Sequence, residues 1–307
     1  MSYVNVLNGD ATLALFRQSE VPGEVVVCRE MMCEGKVKYT KDPLLLFESR
    51  AKHLEFHYGI DKQTYYTSVV LELEKLKQSG SFDEVVLWFE YDLFCQINQL
   101  FILYYISSQI KEPPPISIVD LPHHPPIADL PQLFEQRIRL QPEDLQMAAD
   151  AWDAWCLSTP LALETMAKLP TGNLKHLPAA IIAHLQRFPS VENGLSIIEN
   201  YFLLRLVLGN YRWYDLYMLF WDELEIYGFT NFQLDILINR MERAGVVVET
   251  DQLVKITSLG KEILEEEENY LDYVSLEHRW LGGVRLAKSP WRWSSATKSL
   301  VEIVEIE

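Results

Sequence analysis

Apolar residues alternate between two kinds of run along the first 120 positions. Tyr3–Leu7, Glu24–Cys28, Val85–Phe89 and Ile116–Val119 are short, apolar and β-branched, the signature of strands buried on both faces. Between them lie stretches of helical period: one after Asn8-Gly9-Asp10 to about Gln18, one at about Leu44–Tyr58, one at Gln63–Ser79 and one at Leu93–Gln109. Strand–helix alternation of this kind predicts a mostly parallel sheet covered by helices, Rossmann-like or flavodoxin-like, over residues 1–122.

The pattern then changes. Residues 123–140 sit in a Pro-rich stretch, LPHHPPIADLPQL, which reads as a crossing segment without regular helix. Residues 141–307 form a second, mainly helical domain, with helices at about Pro142–Cys156, Pro160–Lys168 and Leu174–Phe188. From Ser196 onward the order is that of a winged-helix-like unit. A capping box (Ser196, Glu199) opens one helix; Trp213–Tyr227 and Asn231–Ala244 follow, then a two-stranded wing at Val246–Glu249 and Leu253–Thr257. Ser258 starts a last helix, and a tail rich in Trp, Arg and Gly ends the chain.

Composition narrows the classes. Of 307 residues, 49% are hydrophobic and 23% charged, the proportions of a soluble globular protein. No apolar run approaches the roughly 20 residues of a membrane span. With no secretory leader and four scattered cysteines, none in a CxxC pair, the expected compartment is the cytoplasm. The net charge is −17, and residues 196–268 carry six basic against fourteen acidic side chains. That disfavours nucleic-acid binding and favours protein partners or cationic ligands.

Several predicted strands end in acids. In a parallel sheet these ends share one edge, the edge where open α/β sheets hold ligands. Asp10, Glu30, Glu90 and Asp92 are the candidate catalytic carboxylates there, with Asp120 as a further strand-end acid. Arg29, Arg50, Glu34 and Gln96 are candidate ligand-binding residues, with Gln99 beside them. Clustered carboxylates need a cationic partner. It could be Mg²⁺ or Mn²⁺ held by Asp10 and Glu90, an ammonium group, or the arginines themselves. Against this stand capping roles for Asp10 and Asp92 and a structural ion-pair role for Arg29, Glu30 and Arg50. His53 and His57 have helical i,i+4 spacing but no third metal ligand, and His123-His124 reads as a loop pair without a metal role. No phosphate-loop or nucleophile-elbow motif is present.

Motifs spread along the chain carry a resemblance. VLNGD (Val6–Asp10), PGEVVV-x-RE-x-x-x-EG (Pro22–Gly35), VVLWFEYDLFCQ (Val85–Gln96), FPSVENGLS (Phe188–Ser196), ITSLG (Ile256–Gly260), RWLGGV and WRW occur in that order. The chain thereby resembles the bacterial family built on domain of unknown function 1835, with companion domain 3658 at its C-terminal end. Two positions depart from the family pattern, Tyr91 in place of His and Cys28 in place of Trp. The family has no assigned activity, so the resemblance transfers positions without a role. Three readings follow in order of preference: a small-ligand or metal-dependent site of nucleotide or phosphate type at the sheet edge, catalytic or not; an interaction scaffold; and a ligand-sensing regulator using the winged helix.

Overall fold

A computed structural model describes residues 1–303, the side chains at 79 and 80 excepted. Strands β1 (Tyr3–Asn8), β2 (Glu24–Cys28), β3 (Gly35–Lys36), β4 (Glu84–Phe89), β5 (Ile116–Asp120) and β6 (Ile138–Arg139) precede residue 140. Five of them make one sheet in the order β2-β1-β4-β5-β6. β1 runs parallel to β2 (Asn8 beside Cys28) and to β4 (Leu7 beside Trp88). β4 and β5 are also parallel, and β6 closes the edge antiparallel. The protein is mixed α/β with a mostly parallel five-stranded sheet, as the alternation of short apolar runs and helical periods predicts.

The period of two along each strand sends alternate residues to two separate cores. Val85, Leu87 and Phe89 of β4 join Val4, Val6, Val26 and Cys28 in the larger cluster. Val86 and Trp88 join Leu7, Val27, Phe16 and Phe134 in the smaller one on the opposite face. Asn5 falls on the smaller-cluster side and is fully buried, and its side-chain Oδ1 accepts from the Trp88 indole N–H at 3.0 Å. The larger cluster extends through Phe101, Trp152, Phe188, Phe220 and Ile263 to Leu300, so residues on both sides of the expected 122/141 boundary share one core.

The helix Leu93–Gln109 lies at the centre. Asp92 caps it by accepting from the Cys95 N–H at 2.8 Å. Most of it is buried, which is why its residues are largely apolar, with Gln96, Asn98 and Gln99 the buried exceptions. Its Asn98 is fully buried yet saturated: the amide donates to Asn8 Oδ1 (2.9 Å) and the Glu30 carbonyl (2.6 Å), and accepts from the Met32 N–H (3.0 Å). One side chain thus ties together the ends of β1 and β2.

Some expectations need correction. Within the Pro-rich segment, Leu130–Glu135 is a short helix and β6 a strand; Pro131 occupies the first helical turn, where a missing N–H is harmless. The run expected as one helix at Gln63–Ser79 contains a wide π turn at Tyr66–Val70 and a tight 3₁₀ stretch at Lys75–Ser81. Two further small sheets escape the apolar pattern. β3 pairs parallel with Trp280–Gly282, and Trp291–Ser294 forms a hairpin with Ser299–Glu302. Helices Ile197–Leu208, Trp213–Glu223 and Asn231–Arg243 precede an antiparallel hairpin, Val247–Thr250 with Leu253–Ile256, and then a helix at Ser258–Leu264. Among the described residues no helix is long and apolar enough to cross a membrane.

Candidate functional site

From β1 the chain crosses to β2 on one side, and from β4 it crosses to β5 on the other. The C-terminal ends of β1 and β4 therefore diverge, which opens a crevice at the edge where such sheets hold ligands. Gly9 makes the turn out of β1 with φ +81°, a conformation costly for a side chain bearing Cβ. The crevice is a cleft of about 570 Å³. Phe16, Trp88, Leu121 and Leu130 line it from the sheet side, and Met218, Trp221, Leu224 and Phe229 face them from the Trp213–Thr230 segment. Its polar groups include Asn8, Asp10, Thr12, Glu90, Asp92, His123, His124, Glu225 and Thr230; among the described residues no lysine or arginine lines it.

Each acid has a different environment. Asp10 is largely exposed and held bidentately by Arg29, whose Nη2 and Nε reach it at 2.7 and 2.9 Å. The Arg29 hydrogen bond draws the Asp10 carboxyl below its ordinary value. Glu90 accepts from His123 Nδ1. Asp92 is buried beneath the Leu224–Phe229 turn, where Gly228 packs directly on its carboxylate. Burial pushes the Asp92 carboxyl up to about 6 against the opposing pull of the Cys95 N–H bond. Tyr91, between them, has its phenol raised by burial and by its hydrogen bond to Glu225.

The remaining candidates lie elsewhere. Glu30 and Arg50 form a fully buried pair at 3.0 Å, with the Tyr65 hydroxyl also donating to Glu30. Glu34 pairs with Arg187 in a second pocket. Gln96 donates to the Glu90 carbonyl at 2.8 Å and, with Gln99, faces a small void beside Asp120. Asp120 itself holds Lys175 (2.6 Å) and His176 (2.8 Å) at the surface. The expected convergence of Asp10, Glu30, Glu90 and Asp92 thus holds for three residues and fails for Glu30. The reason is the side on which the chain leaves each strand. After β1 it turns toward the Leu13–Phe16 face, whereas after β2 it turns toward the opposite, larger core.

A Mg²⁺ or Mn²⁺ site on Asp10 and Glu90 gains no support from the geometry. Asp10 is occupied by Arg29, and among the described residues no three His, Cys, Asp or Glu side chains are grouped to hold a metal ion. Cys95 offers no nucleophile, because burial holds its thiol well above the ordinary value.

The sequence reading missed His123, Glu225 and Trp221. His123 stands three residues past the end of β5, so the strand-end rule that nominated Asp120 also reaches it. Glu225 and Trp221 arrive from more than a hundred residues away with no local signal. No family model matches the chain, and neither a curated protein nor a solved structure does.

Proposed function

We propose that the cleft binds a small molecule with an apolar body and a neutral or cationic polar head, and that Glu90 and His123 act on it as a proton-handling pair. The observation that carries this reading is the His123–Glu90 hydrogen bond at the mouth of a largely apolar cleft on the switch-point edge. A carboxylate on Nδ1 fixes the imidazole tautomer and leaves Nε2 as an acceptor, the arrangement of a general base. Among the described residues the lining has carboxylates but no lysine or arginine, which argues against the expected nucleotide or phosphate ligand in this cleft. With the Cys95 thiol buried, the chemistry that fits is proton transfer on a bound ligand, or binding alone.

Membership of the family built on domain of unknown function 1835 is part of the same reading, supported by the order of its motifs. At the position where that pattern has His, Tyr91 stands with its ring 6.4 Å from that of His123, so an imidazole reaches the same corner from another loop. A thermal-shift screen with aromatic amines, aromatic alcohols and aromatic phosphates tests the reading. Amines or alcohols should stabilise the wild type and lose that effect in His123→Ala and Glu90→Gln. Amine or alcohol hits that both variants retain would place the ligand elsewhere.

We read residues 197–264 as a winged-helix-like packing module, supported by the order of three helices, hairpin and helix. Its excess of acids over bases argues against DNA. Tight, steeply salt-dependent binding in a fluorescence-anisotropy titration would overturn that and favour a regulator. The four cysteines are free and buried, which suits a reducing, cytoplasmic setting.

A further inference from the structure

Charge reverses sign in the second pocket. In a chain of net charge −17, this pocket of about 90 Å³ gathers the charges of Arg187, Arg240 and Arg279, beside His53, His57 and His278, where burial favours the neutral form of His53 and His57. They come from four separate stretches, brought together where β3 pairs with Trp280–Gly282.

Their partners do not balance them. Arg187 is engaged by Glu34 and by the Cys33 carbonyl at 2.7 Å. Arg240 and Arg279 share a single carboxylate, Glu199, which is fully buried. Glu199 has no capacity to spare. One oxygen accepts from the Ser196 N–H (2.8 Å) and hydroxyl (2.7 Å), and the other accepts two bonds from Arg240 at 3.2 and 2.9 Å. Arg279 Nη1 stands 3.7 Å from that second oxygen, beyond hydrogen-bond reach, and is buried with no hydrogen bond. His53 Nε2 is likewise buried without a partner. Three guanidinium groups thus face two carboxylates, and the Arg279 Nη1 donor is left unused. Burial and the neighbouring Arg240 charge lower Arg279 to about 10, the direction a missing anion would reverse.

We propose that this pocket binds a phosphoryl group, as inorganic phosphate or as the terminal phosphate of a monoester. A tetrahedral dianion offers acceptors in several directions at once, matching guanidinium forks that reach the pocket from different elements. The volume suits a few water-sized groups, the scale of one phosphoryl head. Outside it, His53, His57 and His278 continue into an open groove with Lys36, Lys52 and Trp280. There Lys36 Nζ lies over the Trp280 ring, 5.2 Å from its centre, so the groove adds a cation beside an aromatic wall.

The test uses the full chain at constant ionic strength, by thermal shift and ³¹P NMR titration, with inorganic phosphate, an aromatic phosphate monoester and the parent alcohol. Phosphate should give a saturable stabilisation that chloride does not. Tighter binding of the monoester than of phosphate would assign the source to an ester, and equal affinity would assign it to free phosphate. Arg279→Gln leaves Glu199 paired with Arg240 and should weaken phosphate binding by about tenfold or more. Asp10→Asn, in the other cleft, should leave it unchanged. No saturable response in the wild type, or an equal response in Arg279→Gln, overturns the proposal. Should Arg279→Gln fail to fold, the exposed His278→Ala variant makes the same comparison, and unchanged affinity there overturns it.

Discussion

Glu30→Gln removes a charge from the most completely enclosed ion pair in the N-terminal half while keeping the side-chain shape. Both Glu30 and Arg50 have no exposed side-chain surface. Arg50 donates to Glu30 at 3.0 and 3.2 Å, to the Met31 carbonyl at 2.9 Å and to the Glu34 carbonyl. With Gln in place, the guanidinium stays buried without a counter-charge. Breaking a buried pair from one side costs about 3–5 kcal/mol. The low end applies, because a Gln carbonyl still accepts from Arg50 or the Tyr65 hydroxyl. At an unfolding entropy of about 2.1 cal/mol/K per residue, a chain of 307 residues loses about 5 °C in Tm for 3 kcal/mol. Asp10→Asn is the control: its pair with Arg29 is exposed, so the loss should stay below about 1 kcal/mol and shrink with added salt. Arg50→Met should exceed both, since it strands the Glu30 charge and leaves the Met31 and Glu34 carbonyls without their donor. Urea titrations of the three variants give the order Arg50→Met, Glu30→Gln, Asp10→Asn, from most to least destabilised. A Glu30→Gln protein within about 1 kcal/mol of wild type would refute the reasoning and return Glu30 to the pool of functional acids.

Asp92 titrates near 6 when folded against 3.8 ordinarily, so between those pH values the native state holds a proton that the unfolded chain has released. Its contribution to stability is full below 3.8 and is lost as pH rises through 6; Asp92→Asn, which keeps the helix cap, should gain on wild type by up to about 3 kcal/mol between pH 4 and pH 7, and a flat difference across that range would contradict the burial argument. Gly228→Ala should destabilise by about 1–3 kcal/mol, because φ is +61° and a Cβ would collide with the Asp92 carboxylate; denaturant midpoints equal to wild type would rule that packing out. The thiols should resist a disulfide reagent in the native state: all four are buried, and burial lifts Cys28 to about 12, so fast reaction of any one of them at neutral pH would contradict the fold around it.

What could be read from the sequence follows from how local each signal is. Strand β2 and the helices Leu93–Gln109 and Pro142–Cys156 fall on their expected boundaries, because apolar runs, an Asp cap and a Pro in the first turn all act within a few residues. The capping box of Ser196 and Glu199 is likewise present. β3 and its partner Trp280–Gly282 are too short to show alternation, and only the folded chain brings them together. The same limit governs the cleft. Strand-end position locates Asp10, Glu90 and Asp92, but no periodicity records the side on which the chain leaves β2, so Glu30 was expected in a cleft and lies in a core. His123 reads from sequence as part of a Pro-rich loop, although that loop begins at the C-terminal end of a parallel strand.

Counting arginines per carboxylate distinguishes the two buried ion-pair clusters of this molecule more sharply than burial does. Glu30 and Glu199 are both fully buried and both paired with arginine. Around Glu30 one arginine meets one carboxylate, and further bonds to the Tyr65 hydroxyl and two backbone carbonyls saturate the remaining groups. Nothing is left to attract a ligand, and the pair behaves as a neutral polar plug in the core. Around Glu199 two arginines meet one carboxylate that also serves Ser196, and a buried guanidinium nitrogen is left without a bond. An unbonded buried donor on a charged group is expensive. A fold that needed only a strut there would be better served by one arginine, as at Glu30. The second arginine is explained if the pocket is completed by an anion that the chain itself does not supply.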